Sequence, residues 1–595
     1  MKQTRIRKGA AFGIIAVMVS AMLLASMPTV SASEELYGDA NGDGKIDMRD
    51  VTYVGLIILG KKPANELADA NQDGRVNVLD ITYIELMILG KAPSGTLRIG
   101  ISRVYERVGF LAPPGGMLYY TSIITPVNSQ LVQSGLNGER LPCLAKEWET
   151  EDECKTWIIH LNEKAKWHDG KPVTSEDVKF SSEYHCERDV RVEKFMQEYL
   201  DEIETPDEHT VIFHLKKPFS PFMTWLHPLG LTIILPKHIW KDISPEKAKE
   251  SEDMTGCGPF IFEKLDKDRN VIVLKANNAY FLGRPKVARV EIHMFRTEDT
   301  MLLALKKGDI DVVGRVKGPS VPSLVGEEDI NIVLTPGLRV KNIWFNLRNY
   351  PLNITEVRQA MAYCIDYDQL AQISVLNYGE AGGYSPDMSS SMWWFNPDAI
   401  RYSRDVSKAN ELLDSIGFYD TNGDGVRETT NGTEMIIDLY VPAPDTTYMR
   451  EAELMRGWMA DAGIEIDIKA VDFPTWVEQF ILVHTFDTII VSTSQLSCPY
   501  ISVYKDVVHC DIPGYRNETF DEFVDSLLST TTREEQKEIS FEIQEMFTRD
   551  VPGVSLYSSD IVDAYRSDRF SGFVPVPTEG IVNHQSMRNV RKVAS

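Results

Sequence analysis

Apolar residues recur at helical spacing in two short stretches near the start of the chain. The stretches VTYVGLIILG and ITYIELMILG end at Gly60 and Gly90, and glycine is a favoured residue just beyond a helix. Each stretch is therefore predicted to form one short helix, and the two helices repeat with a period of 30 residues.

Farther along the chain, the apolar pattern alternates between helix and strand. The stretch YMREAELMRGWMADAG predicts an amphipathic helix that ends at Gly463. In the following IEIDIKAVDF, Ile464, Ile466, Ile468 and Ala470 fall on one face of a strand. Helix and strand units in this order predict an α/β architecture for most of the 595 residues.

Residues 1–32 have the pattern of an export signal. A basic start precedes an apolar run at about 9–27, and small residues follow. Cleavage after Ala32 or Ser33 is one interpretation, and retention of the apolar run as a membrane anchor is the other. Both interpretations predict a protein that lies outside the cell or on its surface.

The charge of the chain limits its partners. The formal net charge is −25, and such an acidic surface argues against nucleic acid or an anionic membrane as a partner. Seven cysteines occur without any CxxC pair. Cys498 and Cys510 could bridge a loop, whereas Cys364 lies on the apolar face of a predicted helix and is expected in the core.

An acidic loop precedes each of the two predicted helices. A calcium loop needs oxygen ligands at alternate positions and a glycine at position six for the sharp turn. The loops DANGDGKIDMRD (39–50) and DANQDGRVNVLD (69–80) meet this need. The candidate ligands are Asp39, Asn41, Asp43, the carbonyl of Lys45, Asp47 and Asp50 in the first loop, and Asp69, Asn71, Asp73, the carbonyl of Arg75, Asn77 and Asp80 in the second.

The two loop-helix units, at about 36–92, resemble a type I dockerin, which is a small all-α module. An EF-hand would need an incoming helix, and too few residues lie between the expected cleavage point and Asp39 to form one. The resemblance implies two calcium ions and a cohesin module on another protein as the partner, and a calcium-stabilised spacer without a partner is the alternative. Loop positions ten and eleven carry Met48–Arg49 and Val78–Leu79 instead of the family's usual Ser/Thr pair, so the second pair belongs either to a binding face or to the core.

A third acidic loop, DTNGDGVRE, lies at 420–428. Asp420, Asn422, Asp424 and Glu428 could hold an ion, but a predicted strand follows instead of a helix. Asn-Gly and Asp-Gly are also the residues of tight turns. The sequence therefore favours a plain turn over a third calcium site.

The segment 144–184 predicts a β-hairpin, a tight turn and a helix. The turn falls at Asp169–Gly170, and Thr174 with Asp177 marks the start of the helix. His168 stands beside the turn and is predicted to brace it, since lone histidines near turns commonly bond to backbone groups.

This segment and those at 255–292, 304–313, 342–370 and 513–557 resemble, in order, the family 5 extracellular solute-binding proteins of dipeptide, oligopeptide and nickel importers. The resemblance implies an α/β, two-lobed periplasmic-binding-protein type II fold with an extra subdomain on lobe one. The implied bounds are a linker at 93–96, lobe one at about 97–343 and 546–595, the extra subdomain at about 126–235, lobe two at about 344–545, and crossings near 344–346 and 551–556.

The implied function is capture of a solute between the lobes and delivery to the membrane permease of an ABC importer. No chemistry on the solute is required, so no catalytic residue is predicted. A dockerin-tethered polysaccharide hydrolase is the rival, although HExxH, GxSxG and a complete phosphate loop are absent from the sequence.

The solute is predicted to be a peptide, with an oligosaccharide or a nickel chelate as alternatives. Peptide binders of this family use an aspartate after a strand for the peptide amine, but no carboxylate lies between Asp487 and Asp506, so an acid from elsewhere would be needed. Aromatic residues are the candidates for the ligand wall, and each has a core role as its alternative: Tyr120, Trp344, Tyr384, Trp393 and Trp394.

Overall fold

The computed structural model describes residues 37–593 apart from 71–74, 90–94, 112–118, 137, 189, 227–232, 444, 479–482 and 495–512. The chain divides into two compact units between Ala92 and Pro93. The predicted export signal, the ligands Asn71 and Asp73, the first half of the linker, and the pair Cys498 and Cys510 lie outside the described residues.

The first unit is the small helical module that the repeated pattern predicts. Its helices are Met48–Ile58 and Val78–Ile88, with a 3₁₀ turn at Glu66–Ala68. Each helix begins with a capping box, in which the side chains of the N-cap and of the third helical residue exchange hydrogen bonds with each other's backbone N–H groups. Its buried apolar core is small and consists of Ala40, Val54, Ala68, Ala70, Tyr83 and Ile84.

The second unit is mixed α/β, as the sequence predicts. Its strands are β1 (Thr96–Ile101), β2 (Val132–Ser134), β3 (Arg140–Pro142), β4 (Ala145–Glu151), β5 (Thr156–Leu161), β6 (Leu200–Asp207), β7 (Thr210–Leu215), β8 (Phe260–Asp266), β9 (Val271–Ala276), β10 (Arg289–Met294), β11 (Val312–Val313), β12 (Ile330–Phe345), β13 (Gly379–Ala381), β14 (Ile436–Pro442), β15 (Glu465–Val471), β16 (Thr488–Ser494), β17 (Gly553–Arg566), β18 (Phe570–Ser571) and β19 (Arg591–Lys592).

The second unit contains helices of three to eighteen residues among its described residues. They are Thr125–Val127, Ser175–Arg188, Val190–Tyr199, Phe222–Trp225, Lys237–Trp240, Glu298–Lys307, Thr355–Cys364, Tyr367–Val375, Val406–Ser415, Thr446–Ala460, Phe473–Glu478, Glu518–Ser529, Arg533–Asp550 and His584–Asn589, with a π turn at Tyr120–Ile124 and 3₁₀ turns at Pro245–Glu250 and Gly318–Ser323. Cys364 is fully buried, as expected. Among the described residues, no helix is long and apolar enough to cross a membrane.

The main sheet has eleven strands in the order β15-β14-β16-β12-β17-β11-β1-β10-β9-β8, with β13 beside β17. Strands β12 and β17 run antiparallel through its middle. We call the side that contains β11, β1, β10, β9 and β8 lobe one, and the side that contains β16, β14 and β15 lobe two. The long strands β12 and β17 belong to both lobes and are the crossings.

The pairing of the two crossings is interrupted between Thr335 and Arg339. Before this point, β12 pairs with residues 561–566 of β17, in the part of β17 that neighbours β11 of lobe one. After this point, β12 pairs with residues 553–559 of β17 on one side and with β16 of lobe two on the other. Of the predicted crossings near 344–346 and 551–556, residues 344–345 lie in β12 and residues 553–556 lie in β17. Gly337 stands within the interruption, where an added Cβ would lie 1.7 Å from the backbone oxygen of Ser559.

A second sheet, β4-β5-β7-β6, forms an inserted subdomain with the helix Ser175–Arg188. The pairing of β4 with β5 confirms the predicted hairpin. The backbone N–H of Thr174 donates to Asp177 Oδ2 at 2.9 Å, so the predicted pair does mark the start of this helix. Gly170 has φ +91°, as the predicted tight turn requires.

Candidate functional site

The first acidic loop folds around its own carboxylates. Asp39 accepts hydrogen bonds from the N–H groups of Asp43 at 3.0 Å and Gly44 at 2.6 Å. Asp50 accepts from those of Asn41 at 3.1 Å and Asp47 at 2.9 Å. Because both carboxylates are almost fully buried and their hydrogen bonds come from backbone groups, a bound cation would balance their charge.

The remaining ligands of this loop lie nearer to solvent. Arg49 forms ion pairs with Asp43 and Asp47, each at 2.7 Å, and its hydrogen bond to Asp47 lowers the pKa of that carboxyl to about 2. Asp47 is also the N-cap of the first helix, so a predicted ligand at loop position nine also starts the helix. Lys45, which would contribute its carbonyl, is exposed.

The second loop repeats these features in its described part. Asp80 is fully buried and accepts from the N–H of Asn77 at 2.7 Å, and Asn77 is the N-cap of the second helix. Asp69 is half-buried and Arg75 is exposed. In the part of the chain that the structure describes, no group of three or more His, Cys, Asp or Glu side chains is gathered as a metal cluster. The candidate calcium ligands of these loops also include asparagine side chains and backbone carbonyls, which a group of His, Cys, Asp and Glu side chains does not contain.

An apolar surface lies next to these loops on the module. Val78 and Leu79 are 63% and 61% exposed, so the interpretation of this pair as core is wrong. The equivalent position of the first repeat, Met48, is also exposed, and so are Leu59 and Leu89 at the helix ends. We call these five side chains the apolar face. Large apolar side chains are thus exposed at equivalent positions of both repeats.

The third acidic loop forms similar turns, with three of its candidate ligands exposed and the fourth, Glu428, buried. Asp420 accepts from the N–H groups of Gly423 at 2.6 Å and Gly425 at 3.0 Å, while Asp420, Asn422 and Asp424 are exposed. Glu428 accepts from Thr421. The first acidic loop has the same kind of backbone hydrogen bonds, so the choice between a plain turn and a third ion site stays a prediction.

The strand directions define where a solute could bind in the second unit. Strands β11 and β12 are both antiparallel to β17 and therefore run in the same direction. The carboxyl end of β11 thus points toward lobe two, as that of β12 does. Strand β16 is antiparallel to β12 and parallel to β14, so the carboxyl ends of both point back toward lobe one. Ligands of open α/β sheets bind beyond the carboxyl ends of strands. The residues that follow β11 and β14 therefore face each other across the cleft.

A cavity of about 620 Å³ lies on the inserted subdomain alone, whereas one of about 880 Å³ lies at the cleft. We call the second one the interlobe cavity. Its lining comes from lobe one (315–319 and Thr578), from the crossings (337–339 and 559–562), and from lobe two (373–376, Tyr378, 445–447 and Arg450). A cavity built from both lobes and the crossings changes shape when the lobes move, which suits a site that closes on a solute.

The interlobe cavity contains charges of both signs. Its cations are Arg315, Lys317, Arg339 and Arg450, and its acids are Asp445 and Asp560. Burial raises the pKa of Asp560, which accepts a 3.4 Å hydrogen bond from the N–H of Gly337. These are acids outside the segment after β16, where the sequence has no carboxylate. They could meet the ammonium group of a peptide.

Four of the five predicted aromatic residues line neither the interlobe cavity nor the smaller cavity that is described next. Trp344 and Trp394 are fully buried core side chains. The hydroxyl of Tyr120 accepts from Gln130 Nε2 at 2.6 Å, and burial raises its pKa well above the usual value. Tyr384 packs edge-on against Phe395 with ring centres 5.0 Å apart.

The fifth residue, Trp393, lines a smaller cavity of about 380 Å³ between the inserted subdomain and lobe two. Trp148 and Trp157 of the subdomain and Arg140 of lobe one share this lining. The guanidinium of Arg533 lies 4.5 Å from the centre of the Trp393 ring. Several large aromatic groups with nearby cations suit stacking on a flat solute.

His168 has the structural role that the sequence predicts. Its Nε2 forms a 3.1 Å hydrogen bond with the carbonyl of Gly258, and burial lowers its pKa to about 4. The backbone N–H of His168 donates to the carbonyl of Gly256 at 2.7 Å. The histidine therefore ties the turn to a neighbouring loop.

The residues of the interlobe cavity were not predicted from the sequence. Arg315 and Asp445 each follow a strand within a few residues, which is the available signal. Arg339 and Asp560 lie in long strands and meet only because the crossings pair.

The fold is that of the two-lobed binding proteins that close on a solute. Residues 139–503 match the family model for bacterial extracellular solute-binding proteins, family 5 middle region, and residues 29–89 match that for the dockerin type I domain. The chain belongs to the bacterial extracellular solute-binding proteins of family 5, and it carries a type I dockerin in front.

The relatives of the chain support this assignment. The probable D,D-dipeptide-binding periplasmic protein of Escherichia coli is 29% identical over 305 residues, which are 50% of this chain and 58% of that protein. An oligopeptide-binding protein of Bacillus subtilis, solved with a nonapeptide, has a TM-score of 0.66 at 22% identity and covers 84% of this chain and 99% of its own. An oligopeptide-binding protein of Thermotoga maritima, solved with mannohexaose, has a TM-score of 0.64 at 21% identity, with 84% and 99% covered. The two structures show likeness of fold.

Proposed function

We propose that this protein captures a small zwitterionic solute, a peptide in first place, between its lobes and delivers it to the permease of an ABC importer. The observation that carries this proposal is the interlobe cavity, which presents acids and cations from both lobes and from the crossings. A peptide carries one charge of each sign at its ends, so it can use both. The E. coli relative is itself described as dipeptide-binding.

Binding of this kind needs no chemistry on the solute, and the family is one of binding proteins. We therefore propose that the chain is not an enzyme. An oligosaccharide is the second candidate, because Trp148, Trp157 and Trp393 line one cavity and a structure with this fold was solved with mannohexaose. A nickel chelate is a weaker third candidate.

Calorimetry of the purified chain against di- to pentapeptides, cello-oligosaccharides and nickel chelates tests this function. A binding solute should give saturable heat and raise the melting temperature without being consumed. Release of product from a peptide or a polysaccharide would contradict the proposal. Trp393→Ala should weaken sugar binding and spare peptide binding if the smaller cavity holds sugars.

We further propose that two calcium ions fold the module and that its apolar face binds a cohesin module of a surface protein. This contact would keep the exported protein at the cell surface. The support is the pair of loops with buried Asp39, Asp50 and Asp80, together with the exposed apolar face.

Leu79→Asp tests the docking half. This change should abolish calcium-dependent capture by immobilised cohesin modules while the melting temperature stays the same. Val325→Asp is the matched control, because Val325 is 65% exposed but lies in the second unit. Unchanged capture by the Leu79 variant would contradict the proposed face.

A further inference from the structure

The charge of the interlobe cavity is opposite to that of the chain. The protein has a net charge of −25, yet four cations and two acids line the described part of this cavity. Like charges repel, so gathering cations at one site has a cost unless anions balance them. The excess of positive charge therefore indicates what the cavity holds.

Arg315 is the cation of lobe one that is best placed for a ligand. Its Nη2 donates to the carbonyl of Thr578, while its Nε is buried without a hydrogen-bond partner among the described residues. A buried donor without an acceptor is costly and is usually met by a ligand or water. Arg315 also has a left-handed backbone at φ 59°, a strained conformation that is common at binding sites.

Neighbouring charges shift the pKa of Arg315 in both directions. Burial lowers the pKa of Arg315, Asp563 opposes this shift, and the positive charge of Arg339 adds to it. Burial in turn raises the pKa of Asp563 to about 6, so at acidic pH this acid loses its charge. Arg315 and Arg339 are thus close enough to repel each other across the boundary between lobe one and the crossings.

Arg339 and Arg450 supply positive charge from the other sides. Arg339 lies on the crossing β12 and donates through Nε to Ser492 Oγ at 2.9 Å. Arg450 lies in the helix Thr446–Ala460 of lobe two and is exposed at the cavity wall. Arg339 thus contributes from a crossing and Arg450 from lobe two.

The acids of the cavity already have other partners. Asp445 is the N-cap of the helix Thr446–Ala460 and accepts from the N–H of Thr447 at 2.8 Å. Asp560 accepts from Gly337. Lys317 pairs with Glu298 at 3.6 Å. Backbone hydrogen bonds leave Asp445 and Asp560 with their negative charges, so three arginines face two acids across the cavity.

We propose that the interlobe cavity selects acidic peptides, whose side-chain carboxylates are held by Arg315, Arg339 and Arg450. This inference rests on the proposed function and names the solute class within it. An acidic peptide supplies an acceptor for Arg315 Nε and negative charge opposite the three arginines that line the cavity. Since the arginines come from lobe one, a crossing and lobe two, a bound carboxylate would also hold the lobes closed.

Calorimetry with three probes, Ala-Glu-Glu, Ala-Ala-Ala and Ala-Lys-Lys, tests the selection on the full chain. Ala-Glu-Glu should bind at least about tenfold more tightly than Ala-Ala-Ala, and Ala-Lys-Lys should bind most weakly. Higher salt should weaken Ala-Glu-Glu more than Ala-Ala-Ala.

Arg339→Gln and Arg450→Gln provide the second measurement. Each should cost Ala-Glu-Glu about tenfold more in affinity than it costs Ala-Ala-Ala, because only Ala-Glu-Glu also loses a charge-assisted contact of a side-chain carboxylate. Arg456→Gln is the matched control, since Arg456 lies on the same helix as Arg450 but pairs with Glu453 away from the cavity.

Equal affinity for the three peptides would overturn the inference and leave the proposed function intact. Failure of all three to bind would overturn both. Equal loss of Ala-Glu-Glu and Ala-Ala-Ala in the arginine variants would assign these residues to the peptide backbone, and the selection would then be wrong.

Discussion

The module and the binding body are stable for different reasons. The module has six buried apolar residues and several buried carboxylates, and it leaves large apolar side chains exposed. The body buries large aromatic residues such as Trp167, Trp240 and Trp344 in extensive cores. So small a core stabilises little on its own, which fits the proposal that calcium folds the module, whereas the body is stabilised by packing.

The two kinds of acidic loop illustrate this difference. In the module, Asp39 and Asp50 are buried and helices begin from the loops. In the body, Asp420 and Asp424 accept similar backbone hydrogen bonds but remain exposed. Turn chemistry alone therefore does not identify a calcium site, and the clearest difference between the loops is that the first carboxylate is buried in the module (Asp39) and exposed in the body (Asp420).

Removal of calcium should have the largest effect. Excess EGTA should abolish the unfolding transition of the module and leave that of the body in place, because metal binding and folding are coupled in such small units. Calorimetry that resolves two transitions would measure this. Asp50→Ala should have the same effect as EGTA, and Asp424→Ala should have none. A calcium-dependent shift of the body transition would assign an ion to the 420–428 loop.

Breaking a buried ion pair should have the largest effect on the body. Lys341 Nζ lies 2.6 Å from Glu451 Oε2, and both side chains are almost fully buried. Glu451→Ala should destabilise the body by about 3–5 kcal/mol, because it leaves Lys341 buried without its partner. Urea unfolding would measure this loss. The double variant with Lys341→Met should recover much of it, and no recovery would mean that Glu451 acts through packing instead.

Stability of the body should depend on pH through Glu579. Burial raises the pKa of this carboxyl from 4.5 to about 7. The folded state holds the proton more tightly than the unfolded chain, so this stability is complete below about pH 4.5 and is lost as the pH rises through about 7. Glu579→Gln cannot ionise, so its stability relative to the parent should rise by about 3 kcal/mol between pH 4.5 and pH 8.

Denaturant unfolding of the parent and of the Glu579→Gln variant across this pH range measures the difference between their free energies of unfolding. Other titrating groups, such as Asp563, are present in both proteins and cancel. A difference that does not change with pH would show that Glu579 keeps an ordinary pKa.

Gly337→Ala should have the smallest effect on stability. The new Cβ would approach the oxygen of Ser559 to 1.7 Å and force the crossings apart, at a cost of about 1–3 kcal/mol. The module transition should not move. The matched change Gly326→Ala is the control for added bulk, because an added Cβ at Gly326 meets nothing within 4 Å, although its φ of +91° adds strain. An unaltered body transition for Gly337→Ala would mean that the crossings have room to adjust.

The sequence predicts the elements well because they follow local patterns. The helix that ends before Gly463 and the strand Glu465–Val471 appear as expected, with Ile464 and Ile466 buried. Ala470 is exposed because β15 is the edge strand of the sheet. The calcium-type loops are equally local, and so is the capping of the helices that follow them.

The interlobe cavity was not predictable in the same way. Arg315 and Asp445 are 130 positions apart in the sequence and come together only through pairing of distant strands. The aromatic residues were plausible candidates because large rings line both cores and ligand sites, and Trp344 and Trp394 turned out to be core. The order of the strands in the sheet decides which residues meet at the cavity and which tryptophans are buried. The local sequence pattern does not contain this order.

The paired crossings have a consequence for how the cleft opens. Because β12 and β17 remain hydrogen-bonded on both sides of Gly337, the lobes are joined by a twisted ribbon and not by loose linkers. Opening then needs only a change of twist and no melting of backbone. Amide protons at 340–345 should therefore exchange with deuterium as slowly in the empty protein as in the loaded one, even while the solute comes and goes many times.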